Sequence, residues 1–164
     1  MKIFNFSAGP TMIPKVVMER IQGEFTNYQS LGIGVMELSH RSFEFRDLID
    51  KTENNIRKLM DIGEEYAVCF IQGGASLQFS MVPMNLMKKN GFSEYIETGY
   101  WAEKAICEAR KHGEVRVVAT GRNINYSKIP SLKQCLFDEN SSYVHITTNN
   151  TIEGTQYHFF PEKI

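Results

Sequence analysis

Tyr66-Ala67-Val68-Cys69-Phe70-Ile71-Gln72-Gly73-Gly74-Ala75-Ser76-Leu77-Gln78-Phe79 is the stretch on which the fold turns. Val68, Cys69, Phe70 and Ile71 form a short apolar run, the pattern of a strand covered on both faces. Gly73 and Gly74 then permit backbone angles closed to other residues. Ala75 and Ser76 are small, and the apolar spacing that follows predicts a helix at once. The unpaired N–H groups and dipole of such a helix end suit phosphate, and Ser76 adds a hydroxyl. The motif is neither the dinucleotide G-x-G-x-x-G pattern nor a P-loop, which needs Gly-Lys-Ser/Thr. Taken alone, a bare strand-to-helix turn explains it at least as well as an anion cradle. The neighbours must decide.

Upstream, Ser7-Ala8-Gly9-Pro10 marks a turn in an extended N-terminal segment, residues 1–15, with the main body over 16–164. Pro14 suits the first turn of a helix, and Val17, Met18, Ile21 and Phe25 recur at helical spacing. Residues 35–42 lead into a second helix with Ser42 as N-cap. Its apolar face is Phe45, Leu48, Ile49, Ile56 and Leu59, and Gly63 ends it. Downstream, the helix after the glycine turn is apolar nearly all round (Leu77, Phe79, Met81, Val82, Met84, Leu86, Met87), which predicts burial. Pro83 should kink it.

Asn90-Gly91 turns the chain. Strands are expected at 94–98, 114–119 and 143–147. Between them Trp101, Ala102, Ala105, Ile106 and Ala109 mark a helix closed by Gly113, and 131–137 reads as a short helix after Pro130. Residues 148–151 are a loop. This alternation predicts an α/β fold with a mainly parallel sheet and helices on both faces. Ligands in such sheets sit beyond the carboxyl ends of the strands. Three stretches arrive at that edge: Gly73 to Ser76, Gly99-Tyr100-Trp101, and Thr148 to Thr151.

The bulk properties narrow the classes. The 164 residues make one ordinary domain, and a net charge of -1 gives no basic surface for nucleic acid or anionic membrane. No apolar run approaches a membrane span, and the first residues are too short and polar for a signal peptide. Cys69, Cys107 and Cys135 are odd in number and far apart, without metal-ligand spacing. They read as reduced thiols of a cytoplasmic protein, with Cys69 and Cys107 filling the core. His112, His145 and His158 show no ligand spacing and read as structural.

Five motifs then add up. Phe4-Asn5-Phe6-Ser7-Ala8-Gly9-Pro10, Glu37-Leu38-Ser39-His40-Arg41, Gln72-Gly73-Gly74-Ala75-Ser76-Leu77-Gln78-Phe79, Thr98-Gly99-Tyr100-Trp101 and Asn150-Thr151-Ile152-Glu153-Gly154 resemble, in order and spacing, the phosphoserine aminotransferase family of class V aminotransferases. The resemblance implies a three-layer αβα large domain of the aspartate-aminotransferase-like fold (fold type I), present here only in its N-terminal portion. It implies pyridoxal 5'-phosphate as cofactor, a homodimer, and amino-group transfer between glutamate and a phosphorylated 2-oxo acid, 3-phosphohydroxypyruvate. The product would be O-phosphoserine, for serine biosynthesis and in many bacteria pyridoxine biosynthesis.

By motif, Ala75 and Ser76 resemble the pair that holds the cofactor phosphate. Trp101 resembles the residue stacked on the pyridine ring, Thr151 the one beside the phenolic oxygen, and Arg41 the substrate-anion arginine. The residue types fit: an indole face suits a flat ring, and a guanidinium fork suits carboxylate or phosphate. His40 is a weaker substrate candidate, with capping or packing the alternative.

Two departures matter. Some family members carry arginine at the place of Ser76, so serine shifts phosphate binding onto backbone N–H groups and other basic residues. Family members are also much longer, and their Schiff-base lysine and the aspartate facing the pyridine nitrogen fall beyond residue 164. Lys88, Lys89, Lys104, Lys111 and Lys128 occupy helix ends, polar faces or loops, whereas such a lysine needs a desolvated setting. The chain alone is therefore expected to be inactive as a transaminase. The strand preceding 159–164 should leave apolar surface and a sheet edge uncovered. A non-catalytic module for a phosphorylated ligand, or a structural fragment that orders only on dimerising or on pairing with the remaining half, are the alternatives.

Overall fold

The computed structural model describes residues 3–7 and 9–158. The expectations placed on Ala8 and on residues 159–164 lie outside them. The chain divides into two compact units, Met1–Phe70 and Ile71–Ile164.

The first unit is helical. Helix α1 spans Lys15–Glu24, with Pro14 one position ahead as N-cap, its carbonyl accepting from the Val17 and Met18 N–H groups. Helix α2 spans Phe43–Met60, and the Ser42 hydroxyl accepts from the Phe45 N–H at 3.2 Å, satisfying one orphan donor. Its end is not at Gly63. Asp61 takes the left-handed position at φ 52°, two residues earlier, and the Arg57 guanidinium then holds the carbonyls of Gly63 and Tyr66. An aspartate tolerates that conformation through local hydrogen bonding, so the glycine is a misleading stop signal. Tyr28 is this unit's buried hydrophobic side chain among the described residues.

Val68 to Ile71 do not form the expected buried strand. They join no ladder, and Phe70 and Ile71 are exposed. An apolar run states a preference for burial, but a strand exists only where a neighbour completes its hydrogen bonds. Cys69 and Cys107 are likewise exposed rather than core filler.

The second unit is built on three parallel strands. Helix α3 (Gly74–Leu86) precedes β1 (Phe92–Glu97), α4 (Tyr100–Ala109) and β2 (Glu114–Thr120); β3 (Val144–His145) follows. The order is β2-β1-β3 with β1 central and parallel to both neighbours. The β1–β2 register slips by one residue between Tyr95 and Ile96, leaving Val118 as an extra residue in β2. Ser93 to Glu97 are all buried. Alanines 102, 105 and 109 let α4 lie close on the sheet, and the core joins Tyr95, Ala105, Ile106 and Ala109 with Phe79, Val115 and Tyr143 against it. A fully buried side chain such as Ile96 contributes about 1.5–3 kcal/mol.

Helix α3 departs from expectation. It packs on α4 through one side and runs on past Pro83, but Leu77, Met84 and Leu86 are exposed. Apolar character all round calls for cover all round, and one neighbouring helix covers one face. Residues 132–134 form a single 3₁₀ turn in place of the short helix. The loop expected at 148–151 is instead half of a hairpin: β4 (Asn149–Asn150) pairs antiparallel with β5 (Thr155–Gln156).

Candidate functional site

The carboxyl end of β1 runs through Thr98 and Gly99 directly into α4. A Cβ on Gly99 would stand 2.5 Å from Glu153 Oε2 and 2.7 Å from Asn150 Oδ1. Only glycine permits the 149–156 hairpin to press so close. The hairpin is then tied to the strand–helix junction by three side chains. Asn150 Nδ2 donates to Thr98 Oγ1 at 2.9 Å, with both residues buried. The Tyr100 N–H donates to Glu153 Oε1 at 2.8 Å. Trp101 Nε1 donates to Thr151 Oγ1 at 3.0 Å. The last bond fixes the plane of the indole, which also meets the Tyr100 ring edge-on at 5.0 Å.

Helix α3 is the other α-helix of this unit among the described residues. It packs against α4, and a Cβ on Gly113, after α4, would collide with Met87 Sδ, just after α3. The N-terminus of α4 follows directly from the carboxyl end of β1. Gly73 (φ 101°) and Gly74 (φ 60°) make the left-handed entry to α3. A Cβ on Gly73 would strike Leu77 Cδ2 at 2.5 Å, while the space over Gly74 is open. No side chain caps α3, and Ala75 and Ser76 are exposed. Of the two helix ends, α4 carries an internal carboxylate, and α3 carries none among the described residues. An external anion is therefore favoured at α3 and repelled at α4.

Beside them, Glu97 closes β1. Its carboxylate accepts from Thr120 Oγ1 at 2.5 Å and from Arg122 Nη2 at 2.6 Å, and Arg122 also meets Glu103 at 3.0 Å. Burial pushes the Glu97 carboxyl up, but the Thr120 hydroxyl and the Arg122 guanidinium outweigh it and hold it below the usual range. This ionised pair ties the ends of β1 and β2 at the base of the Thr98–Trp101 segment.

Trp101 and Thr151, expected at the site from their motifs, are brought together. Ala75 and Ser76 are exposed in the first turn of α3. Arg41 and His40 belong to the first unit, both exposed, in the turn ahead of α2. There the Arg41 N–H donates to Ser39 Oγ at 3.2 Å and its carbonyl accepts from Arg46 Nη2 at 2.9 Å. Lys88, Lys89, Lys104, Lys111 and Lys128 are all exposed. Thr98, Asn150 and Glu153 escape assignment from sequence: their partners lie about fifty positions away, and no local spacing announces such a pairing.

The family described as aminotransferase class-V matches residues 3–163. The chain belongs to this family. Its relatives include a phosphoserine aminotransferase of Bacillus cereus, 52% identical over 156 residues that make up 95% of this chain and 43% of the relative. The phosphoserine aminotransferase of Alkalihalobacillus alcalophilus is 45% identical, over 98% of this chain and 45% of the relative. Among solved structures, phosphoserine aminotransferase from Bacillus circulans subsp. alkalophilus superposes with a TM-score of 0.90 at 40% identity, covering 99% of this chain and 45% of that one. The PLP-bound enzyme from Trichomonas vaginalis gives 0.88 at 32% identity, covering 98% and 48%. The chain thus spans somewhat under half the length of the family members it matches. The α/β fold with a parallel sheet, expected from the alternation of elements, is the fold of these relatives.

Proposed function

We propose that this chain forms the cofactor-facing part of a pyridoxal-5'-phosphate-dependent phosphoserine aminotransferase, acting on glutamate and 3-phosphohydroxypyruvate. The observation that carries the reading is the Trp101–Thr151 hydrogen bond, which sets an indole and a hydroxyl side by side just past the carboxyl end of β1, and the uncapped start of α3 supports it. Those groups fit the cofactor. The N–H groups of Ala75 and Ser76, with the Ser76 hydroxyl, would take its phosphate. Trp101 would pack on its ring. Thr151 accepts from the indole, so its own proton can be donated to a phenolate oxygen.

The bound cofactor supplies an electron sink for the substrate's α-carbon. The chain's residues bind and orient it and shield one face of the ring from water. Arg41, with His40, would hold the substrate anion. Its exposed fork makes no ion pair among the described residues and suits a bidentate anion. The amine that carries out the proton shift would come from the part of the relatives' length this chain does not span, since Lys88, Lys89, Lys104, Lys111 and Lys128 are solvated and unsuited to the task. A homodimeric, cytoplasmic enzyme of serine and pyridoxine biosynthesis, with residues 16–164 in its large domain, completes the proposal.

Trp101 is the one tryptophan in the sequence, so its emission is a direct probe. Titrating the chain with pyridoxal 5'-phosphate should quench that emission saturably. Borohydride reduction should then give no adduct concentrated on one lysine. Absence of saturable quenching would remove the cofactor reading, and a stoichiometric adduct at a single lysine would overturn the claim about the missing amine.

A further inference from the structure

Two short segments, Thr98–Trp101 and Asn150–Glu153, face each other across the edge of the sheet and are joined by three hydrogen bonds. The bond between Trp101 and Thr151 joins the two residues that would address the cofactor ring. The other two, from Asn150 to Thr98 and from Tyr100 to Glu153, flank it on the same pair of segments. Glu153 is the member with the farthest reach. Its Oε1 caps the first N–H of α4, one residue ahead of Trp101, while its backbone lies two residues beyond Thr151.

Carboxylate at this position also answers the charge of the helix end, an interaction of about 0.3–1 kcal/mol in ordinary settings. Glu153 Oε2 and Asn150 Oδ1 are both buried without a partner, and both face the Cα of Gly99. Such oxygens are retained at a cost. Here they accompany the tight seating of the hairpin on Gly99.

We propose that Glu153 is a positioning residue, tying the start of α4 to the 151–154 turn so that the Trp101 indole and the Thr151 hydroxyl address the same ligand. The assignment rests on the cofactor reading for its functional meaning but makes a claim about Trp101 that stands without it. Removing the carboxylate releases the Tyr100 N–H and loosens the turn, so the indole loses its fixed plane while the sheet beneath it keeps its core. Glutamine retains an oxygen that accepts from Tyr100, and its amide can donate toward Asn150 Oδ1. The conservative variant therefore restores the geometry although it lacks the charge.

The test uses the 164-residue chain as wild type, Glu153→Ala and Glu153→Gln. Far-UV circular dichroism checks the fold. Near-UV dichroism, acrylamide quenching and pyridoxal-5'-phosphate quenching of Trp101 emission give the readouts. In Glu153→Ala we expect a retained far-UV spectrum, a weakened near-UV indole band, at least a two-fold rise in acrylamide quenching and at least a ten-fold weaker cofactor midpoint. Glu153→Gln should return the indole signals to near wild type. An unchanged indole band and quenching constant in Glu153→Ala would overturn the proposal, as would a Glu153→Gln protein as disordered around Trp101 as Glu153→Ala.

Should Glu153→Ala fail to fold, Tyr100→Pro replaces it, with Tyr100→Ala as control for the lost ring. Proline fits the first helical position, and relative to alanine it removes the N–H from which Glu153 accepts. Equal indole signals in these two variants would also overturn the proposal. If the wild type binds no cofactor yet Glu153→Ala still frees the indole, the cofactor reading fails and the positioning of Trp101 by Glu153 stands.

Discussion

His145 illustrates how burial changes a single residue. Its ring stacks on Tyr95 at 4.7 Å and 18°, and Nδ1 is buried without a partner. Burial in this setting pushes its pKa down from 6.5 to about 4. The native state therefore binds its proton less readily than the unfolded chain between these values. By linkage, stability is fully present above 6.5 and drains as pH falls toward 4. Urea unfolding of the chain from pH 7 to pH 5 should show a loss approaching about 1.4 kcal/mol per pH unit in the lower part of that range. A His145→Gln variant should flatten the slope. Glu97 and Asp138 are also held below their ordinary values, 4.5 and 3.8, but they act only at lower pH. The spacing of the histidines is enough to read His145 as structural. It says nothing of the shifted proton affinity, because the burial that causes the shift comes from packing against other elements.

At the scale of elements, legibility follows the range of the interactions. Helices α1, α2 and α4 are readable because their signals are local: Pro14 ahead of α1, Ser42 ahead of α2, alanines at helical spacing in α4. Replacing Ser42 by alanine should cost about 1 kcal/mol, since the Phe45 N–H loses its acceptor; the midpoint of thermal unfolding of the first unit checks it. Strands β1 and β2 are readable too. Their boundaries are not, since they depend on which residues find partners. The 149–156 hairpin reads as loop because its two-residue strands carry no alternating pattern. Val68 to Ile71 read as strand because their composition is right and only a neighbour is missing.

For the whole molecule, the two units have unequal cores. Ile3, Phe6, Val16, Phe43, Leu59, Met60 and Leu136 are each 70% exposed or more. Apolar surface on this scale, in a chain spanning under half the length of its relatives, predicts association. Sedimentation velocity should show the apparent mass rising with concentration in the micromolar range, and a hydrophobic dye should bind the dilute species. A monomeric chain that binds no dye would contradict the expectation.

The sequence by itself determined the family, the alternation of helices and strands, and the residue types suited to a phosphorylated aromatic ligand, because each is written in short-range spacing or in motifs. Only the tertiary structure decided that Trp101 donates to Thr151, that Glu153 caps α4 while α3 stays open, and that Val68 to Ile71 remain unpaired. Those outcomes depend on contacts between residues far apart in the chain, and the energy of such a contact does not exist until the backbone has brought its two sides together.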